Sequence, residues 1–327
     1  VSGFTPSVGD IFIVKDSAGV NSGIFIKQPA SIVPLLDSSA TIGGALYTVT
    51  KDPTGFPVPA DNSTATLSFV DGTRTFSITP VGATFDVYLQ GTKYTKTVES
   101  VVTSAVEGWH YIFYDLAGTL TETTTFSTTL ITIYAFVCAL YWDNTNGAAI
   151  LIGDERHGLS MSGATHLHLH TTVGTDYQSG FTLSSFALGT GTLATDAEFA
   201  VDAGIFKDED IIFSYSALTG PANIPIFYRS GSASAPVWRR KAADNFPLIY
   251  SGSGGFTGGS GRAAYNQNNA GTYQLTQVGE LFYFNVHYYA VNDTTQKIIG
   301  VLGDANYSTT QAASDLQDEE LVKLFRH

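Results

Sequence analysis

Apolar and polar positions alternate in short runs along most of the chain, and pairs of turn-forming residues separate the runs. From Ser63 the scheme is regular: TLSFV meets TRTFSITP across Asp71 and Gly72, and FDVYL meets TKYTKT across Gln90 and Gly91. HYIFYD then meets TLTETTTF across Ala117 and Gly118, and TTLITIYAFVCALYWD meets AAILIG across NTNG. Period-two runs joined by Asp-Gly or a similar pair are the strongest short-range signal for a β-hairpin. This stretch is therefore predicted to fold as an antiparallel sandwich or barrel ending near Ile152. The run LITIYAFVCALYW reads as one buried strand, too short to span a bilayer.

The flanking regions are less regular. GDIFIVKD and SGIFIKQ, either side of AGVNSG, predict paired strands that Pro29 and Pro34 interrupt, and Leu36 to Asn62 reads as a loop-rich linker. After Gly153, strands are predicted at IIFSYSAL, IPIFYRSG, FPLIYSG, ELFYFNVHYYAVN and KIIGVLG, with an exposed Gly/Ser loop from Ser251 to Gly261. The one helix expected follows Ser308, where Ala313, Leu316, Leu321 and Leu324 share a face. The fold class read from this pattern is mainly β, with multi-domain antiparallel β-sandwich or barrel modules and one short C-terminal helix. Its expected divisions are an N-terminal β attachment segment and linker over 1–62, a sandwich over 63–152 and a second β-rich domain over 153–327. A start at Val1 and an acidic helical segment just before His327 read as a processed or partial copy of a longer polypeptide, with the second domain continuing past the last residue.

Composition agrees with this reading. Charged residues make up 14% of the chain, against about 25% in typical globular domains, and glycine, serine and threonine are abundant. The net charge of -13 and 16 scattered basic residues argue against nucleic acid and anionic membrane surfaces as partners. Cys138, alone and inside an apolar run, reads as an inert core thiol.

Candidate chemistry concentrates in three places. THLHLHT, read as a strand, puts His166, His168 and His170 on one face and Leu167 and Leu169 on the other. Imidazoles so aligned could ligate zinc, nickel or iron around a three-fold axis. Ligands more often arrive from separated segments with a carboxylate second shell, so the preferred reading is a polar face or subunit contact, with no metal or other cofactor. GDERHG brings together Asp154, Glu155, Arg156 and His157, enough types for acid and base work, but reads more simply as a charged turn holding an Arg to carboxylate pair. Asp208, Glu209 and Asp210 could supply a glycosidase pair, but are expected to form a solvated acidic turn whose combined neutralisation leaves folding and particle assembly nearly unchanged. DNTNG lacks calcium-loop spacing and reads as a turn. Tyr177, Tyr265, Tyr273 and Tyr307 sit in polar stretches, where aromatics serve either sugar stacking or cross-strand pairing.

The ordered series VDGTRTFSITPVGATFDVYLQGTKYTKT, ALYWDNTNGAAILIGDERHGLSMSGATHLHLHTTVGTDY, IPIFYRSG, AYNQNNAGTYQLTQVG and KIIGVLGDANYSTT resembles a class of tailed-bacteriophage virion structural proteins, of the tail-fibre-like or appendage kind. The likeness runs over roughly residues 60 to 327. The corresponding stretch in that class reads GATHxxLHTTxG, which His166 and His170 match and His168 does not. The resemblance implies a virion location, no established enzymatic activity, and a symmetric homo-oligomer, most naturally a trimer. It also implies partners among other virion proteins and a host-surface glycan or protein. Two rivals remain: a tail-borne polysaccharide depolymerase using acids among Asp154, Glu155, Asp208 and Asp210, and a capsid decoration or head-fibre protein.

Overall fold

The structure is a computed structural model that describes residues 11–15, 21–27, 32–37, 53–60, 63–187, 198–220, 224–244, 248–252, 255–257 and 261–316. In the first three segments only the backbone is described. The chain is mainly β, in several antiparallel sheets with short helices between them.

The alternation beginning at Ser63 forms the predicted sandwich. Strands Ala65–Val70 and Thr75–Pro80 pair with Val70 opposite Thr75, and Glu99–Val102 extends the sheet. Phe85–Leu89 and Thr92–Lys96 form a hairpin. Its two-residue turn has φ values of 47° at Gln90 and 82° at Gly91, both positive as a type I′ turn requires. A four-stranded sheet runs in the order Leu120–Thr123, Gly108–Tyr114, Ala135–Asp143, Ala148–Asp154. Leu67, Phe76, Ile78 and Val87 meet Ile112, Tyr114, Leu140 and Trp142 in one core, which also takes in Cys138.

The apolar run read as a single strand is two elements, helix α1 (Thr129–Thr132) and strand Ala135–Asp143. The strand is apolar at nearly every position because both of its faces are covered. One face lies in the sandwich core. The other carries Tyr141, which packs with Ile150, Phe227, Ile299 and Val301 in a second core. The division expected after Ile152 thus falls within strand Ala148–Asp154, beside a core drawn from both sides of it.

Toward the C-terminus, a sheet runs in the order Ala264–Asn269, Thr272–Gln277, Ile224–Ser232, Ile298–Tyr307, Tyr283–Ala290, with Val237–Asp244 also pairing with Ile224–Ser232. Ile224–Ser232 and Ile298–Tyr307 are parallel neighbours, unlike the other paired strands among the described residues. A three-stranded sheet places Gly204–Asp208 between Thr175–Gly180 and Ile211–Tyr215. In the N-terminal sheet, Ile11–Lys15 and Ile32–Asp37 flank Asn21–Lys27, and Pro34 lies within a strand rather than ending one. The end of the expected linker is bonded into the fold: Gly55 N donates to Tyr88 O, Phe56 N donates to His157 O, and Phe56 is buried. Within the expected Gly/Ser loop, Ile249–Gly252 pairs with Gly255–Thr257.

Three α-helices occur among the described residues where one was expected: α1, α2 (Gly163–Thr172) and α3 (Thr310–Asp315). Helix α3 starts where predicted. Thr309 caps it by accepting from Ala312 N, and Ala313 is buried; Leu321 and Leu324 lie outside the described residues. No described helix is long and apolar enough to cross a membrane.

Candidate functional site: a buried histidine and carboxylate cluster

The histidine run is helix α2, not a strand. Its alternating pattern fits period two, but the local start signals decide the outcome. Ser162 sits in an extended conformation and its Oγ accepts from Thr165 N at 3.2 Å, satisfying one of the first-turn donors. Gly163 lets the helix approach α1, since a Cβ at this position would lie 2.3 Å from the Thr132 carbonyl oxygen. On a helix, positions four apart share a face. His166 and His170 therefore point together, with ring centroids 6.0 Å apart, while His168 is exposed.

GDERHG splits into two environments. Asp154 and Arg156 form a closed buried pair. The Arg156 Nε donates to Asp154 Oδ1 at 2.8 Å, its Nη2 to Oδ2 at 2.6 Å and its Nη1 to Ala65 O at 2.7 Å. Glu155 Oε1 accepts from Asn292 Nδ2 at 3.0 Å. His157 turns the other way and stacks near His166, with ring centroids 4.0 Å apart.

The acidic triplet expected to be a solvated turn is built inward. It joins strands Gly204–Asp208 and Ile211–Tyr215, with Glu209 at φ 49°, a left-handed conformation uncommon for a residue with a Cβ. The Asp208 residue is buried and the Glu209 side chain is fully enclosed, at 0% exposure. The turn points inward because its carboxylates find partners there. Asp210 Oδ1 lies 2.9 Å from His157 Nδ1, and its Oδ2 accepts from Gly158 N at 2.9 Å and Ser160 Oγ at 2.7 Å. Glu209 Oε1 lies 3.2 Å from His170 Nδ1.

Three segments thus converge. His157 Nε2 and His166 Nε2 each lie 3.3 Å from Glu209 Oε2, yet none of these three buried atoms has a hydrogen-bond partner. Glu155 Oε2 lies 3.8 Å from His157 Nε2. Ligand-type atoms of His157, His166 and Glu209 fall within 4.8 Å of one another, as do those of Glu155, His157 and Asp208, and those of His170, Asp208 and Glu209.

The electrostatics follow from this crowding. Burial drives the Asp208 carboxyl up, reinforced by Glu155 and Glu209, to about 7. Burial pushes Glu209 the same way, but the imidazoles of His166, His170 and His157 outweigh it and hold the group at about 2. Desolvation opposes charge on His157, but Asp210 and Glu155 more than compensate and raise it to about 10. The cluster is dominated by negative charge, and the neighbouring Arg156 is committed to Asp154.

Two concavities bear on function. A cavity of about 20 Å³ borders Glu155, His157 and His166 and is also lined by Leu130, Ile131 and Phe136, room for a single water or ion. A larger apolar one, about 440 Å³, lies elsewhere and is lined by Trp109, Tyr141, Phe227, Trp238 and Tyr289. Among the tyrosines singled out in the sequence, Tyr177 is exposed, while Tyr265, Tyr273 and Tyr307 are buried and Arg229 stacks on Tyr273 at 3.8 Å.

His166 and His170 enter the site as two of the residues singled out in sequence, and His168 does not. His157, Glu155 and the acidic triplet join them, although the sequence reading kept these groups apart. The i, i+4 spacing of His166 and His170 after a Ser-Gly-Ala-Thr start was the available signal. No family model matches the chain, and no curated protein or solved structure matches it.

Proposed function

We propose that the chain is a structural component of a bacteriophage particle, part of a tail fibre, baseplate or similar appendage, acting as a homo-oligomer that contacts other virion proteins or the host surface. The observation that carries the assembly part of this reading is an edge. Strand Tyr283–Ala290 closes one end of the largest sheet, and Leu281, Phe282 and Tyr283 at its start are 87%, 45% and 44% exposed. An edge strand with adjoining exposed apolar side chains suits pairing with another chain. The phage assignment rests on the motif series. The depolymerase alternative is disfavoured because two of its four acids are committed internally, Asp154 to Arg156 and Asp210 to His157, Gly158 and Ser160, and Asp208 is buried.

Two measurements test the reading. An antibody against the chain is expected to label an appendage on imaged particles; its absence from purified particles would rule the location out. Light scattering is expected to show an oligomer that Leu281→Asp with Phe282→Ser weakens, whereas a monomer at micromolar concentration would remove the assembly part.

A further inference from the structure

We infer that His157 Nε2, His166 Nε2 and Glu209 Oε2 bind one divalent transition-metal ion of the zinc class, with Glu155 closing the fourth position, and that the ion is structural. The argument starts from the three atoms left without partners. Two imidazole nitrogens and a carboxylate oxygen, all buried, face one another without a hydrogen bond among them. Charge can hold an imidazolium beside a carboxylate, but here it leaves all three atoms unbonded, and buried polar groups without partners are rare; one cation between them satisfies all three.

The spacing is that of a coordination sphere. Zn–N and Zn–O bonds of about 2.0 Å in a tetrahedron put neighbouring ligand atoms about 3.3 Å apart. Both Nε2 to Oε2 separations are 3.3 Å. Glu155 Oε2 lies 3.8 Å from His157 Nε2 but outside the 4.8 Å grouping of the other three ligand atoms, so it completes the set by swinging toward them.

The surrounding bonds fix the ligands as a metal requires. With Asp210 Oδ1 at 2.9 Å, the proton that His157 keeps on metal binding belongs on Nδ1, and the ion displaces the one on Nε2. His170 does not ligate in this arrangement; its Nδ1 orients Glu209 through Oε1. Asn292 holds the other oxygen of Glu155. The four carboxylates of Glu155, Asp208, Glu209 and Asp210 supply the negative charge that a divalent ion neutralises. Mixed nitrogen and oxygen donors select zinc or a neighbouring transition metal over calcium or magnesium, which take oxygen ligands.

The role follows from access. The adjoining cavity of about 20 Å³ admits no substrate. The ligands come instead from the strand end at Glu155, from helix α2 and from the turn at Glu209, so an ion ties three segments that the chain connects only distantly.

The test uses the full chain, stripped with dipicolinate and then titrated with Zn²⁺ in competition with a chromophoric chelator. About one Zn²⁺ per chain and a raised melting temperature are expected, and Co²⁺ should give the strong visible absorption of a tetrahedral site. His166→Gln and Glu209→Gln should each weaken Zn²⁺ binding by about 100-fold or more and Asp210→Asn by about 10- to 100-fold. His168→Gln, on the exposed side of α2, should leave affinity unchanged. The Co²⁺ spectrum of the unmodified chain needs no variant to fold. A folded chain that takes up no stoichiometric Zn²⁺, an octahedral Co²⁺ spectrum, an equal melting response to Ca²⁺, or Zn²⁺ binding that survives His166→Gln would each refute the assignment.

Discussion

Two buried polar groups sit side by side on one segment and are solved in opposite ways. The Asp154–Arg156 pair is complete: every close approach is a well-formed bond, and the remaining guanidinium reach ends on the Ala65 carbonyl. The cluster around His157 satisfies its periphery and leaves its centre open. The contrast separates two uses of buried charge. A closed pair holds the fold by itself, while an open one is conditional on something added.

Breaking the closed pair should have the largest effect. Arg156→Ala leaves the Asp154 carboxylate buried without its partner and should lower stability by about 3–5 kcal/mol, read by denaturant unfolding. Filling the open cluster comes next. Zn²⁺ at about 100 times its dissociation constant should raise stability by about 2.7 kcal/mol, and chelator should reverse this without affecting the Arg156 contribution. Equal chelator sensitivity in wild type and Glu209→Gln would erase the distinction.

Smaller changes sharpen the comparison by moving α2 alone. A methyl group at position 163 would meet the Thr132 backbone, so Gly163→Ala should destabilise by about 1–3 kcal/mol through overpacking and weaken Zn²⁺ binding by displacing His166. Ser162→Ala removes the cap and should lower stability by about 1 kcal/mol. Calorimetry of both variants, with and without Zn²⁺, should show a reduced metal response for Gly163→Ala and a nearly intact one for Ser162→Ala.

The sandwich was legible in the sequence because hairpin turns and alternation are local. Gln90 and Gly91 announce their turn without reference to the rest of the chain. The site was only partly legible for the same reason. THLHLHT fits a strand by period, and what overrides the period is a cap at Ser162 and packing of Gly163 on Thr132, a contact with a distant segment. The acidic triplet looked solvated because its burial depends on His157, His166 and His170, which reach it only in the folded chain. Charge by itself favours solvent, and only the assembled imidazoles reverse that preference.

The doubly covered strand Ala135–Asp143 has a consequence for how the chain is made. Its Tyr141 and the neighbouring Ile150 are covered by Phe227, about 80 residues later in synthesis, and by Ile299 and Val301, about 150 residues later. At translation rates of about 5–20 residues per second, that face is fully covered only after roughly 8–30 s on the ribosome. The nascent sandwich therefore spends that interval with an adhesive side exposed, and its yield in the cell should depend on a holding chaperone or on slow crowding-free expression more than on the stability of the finished fold.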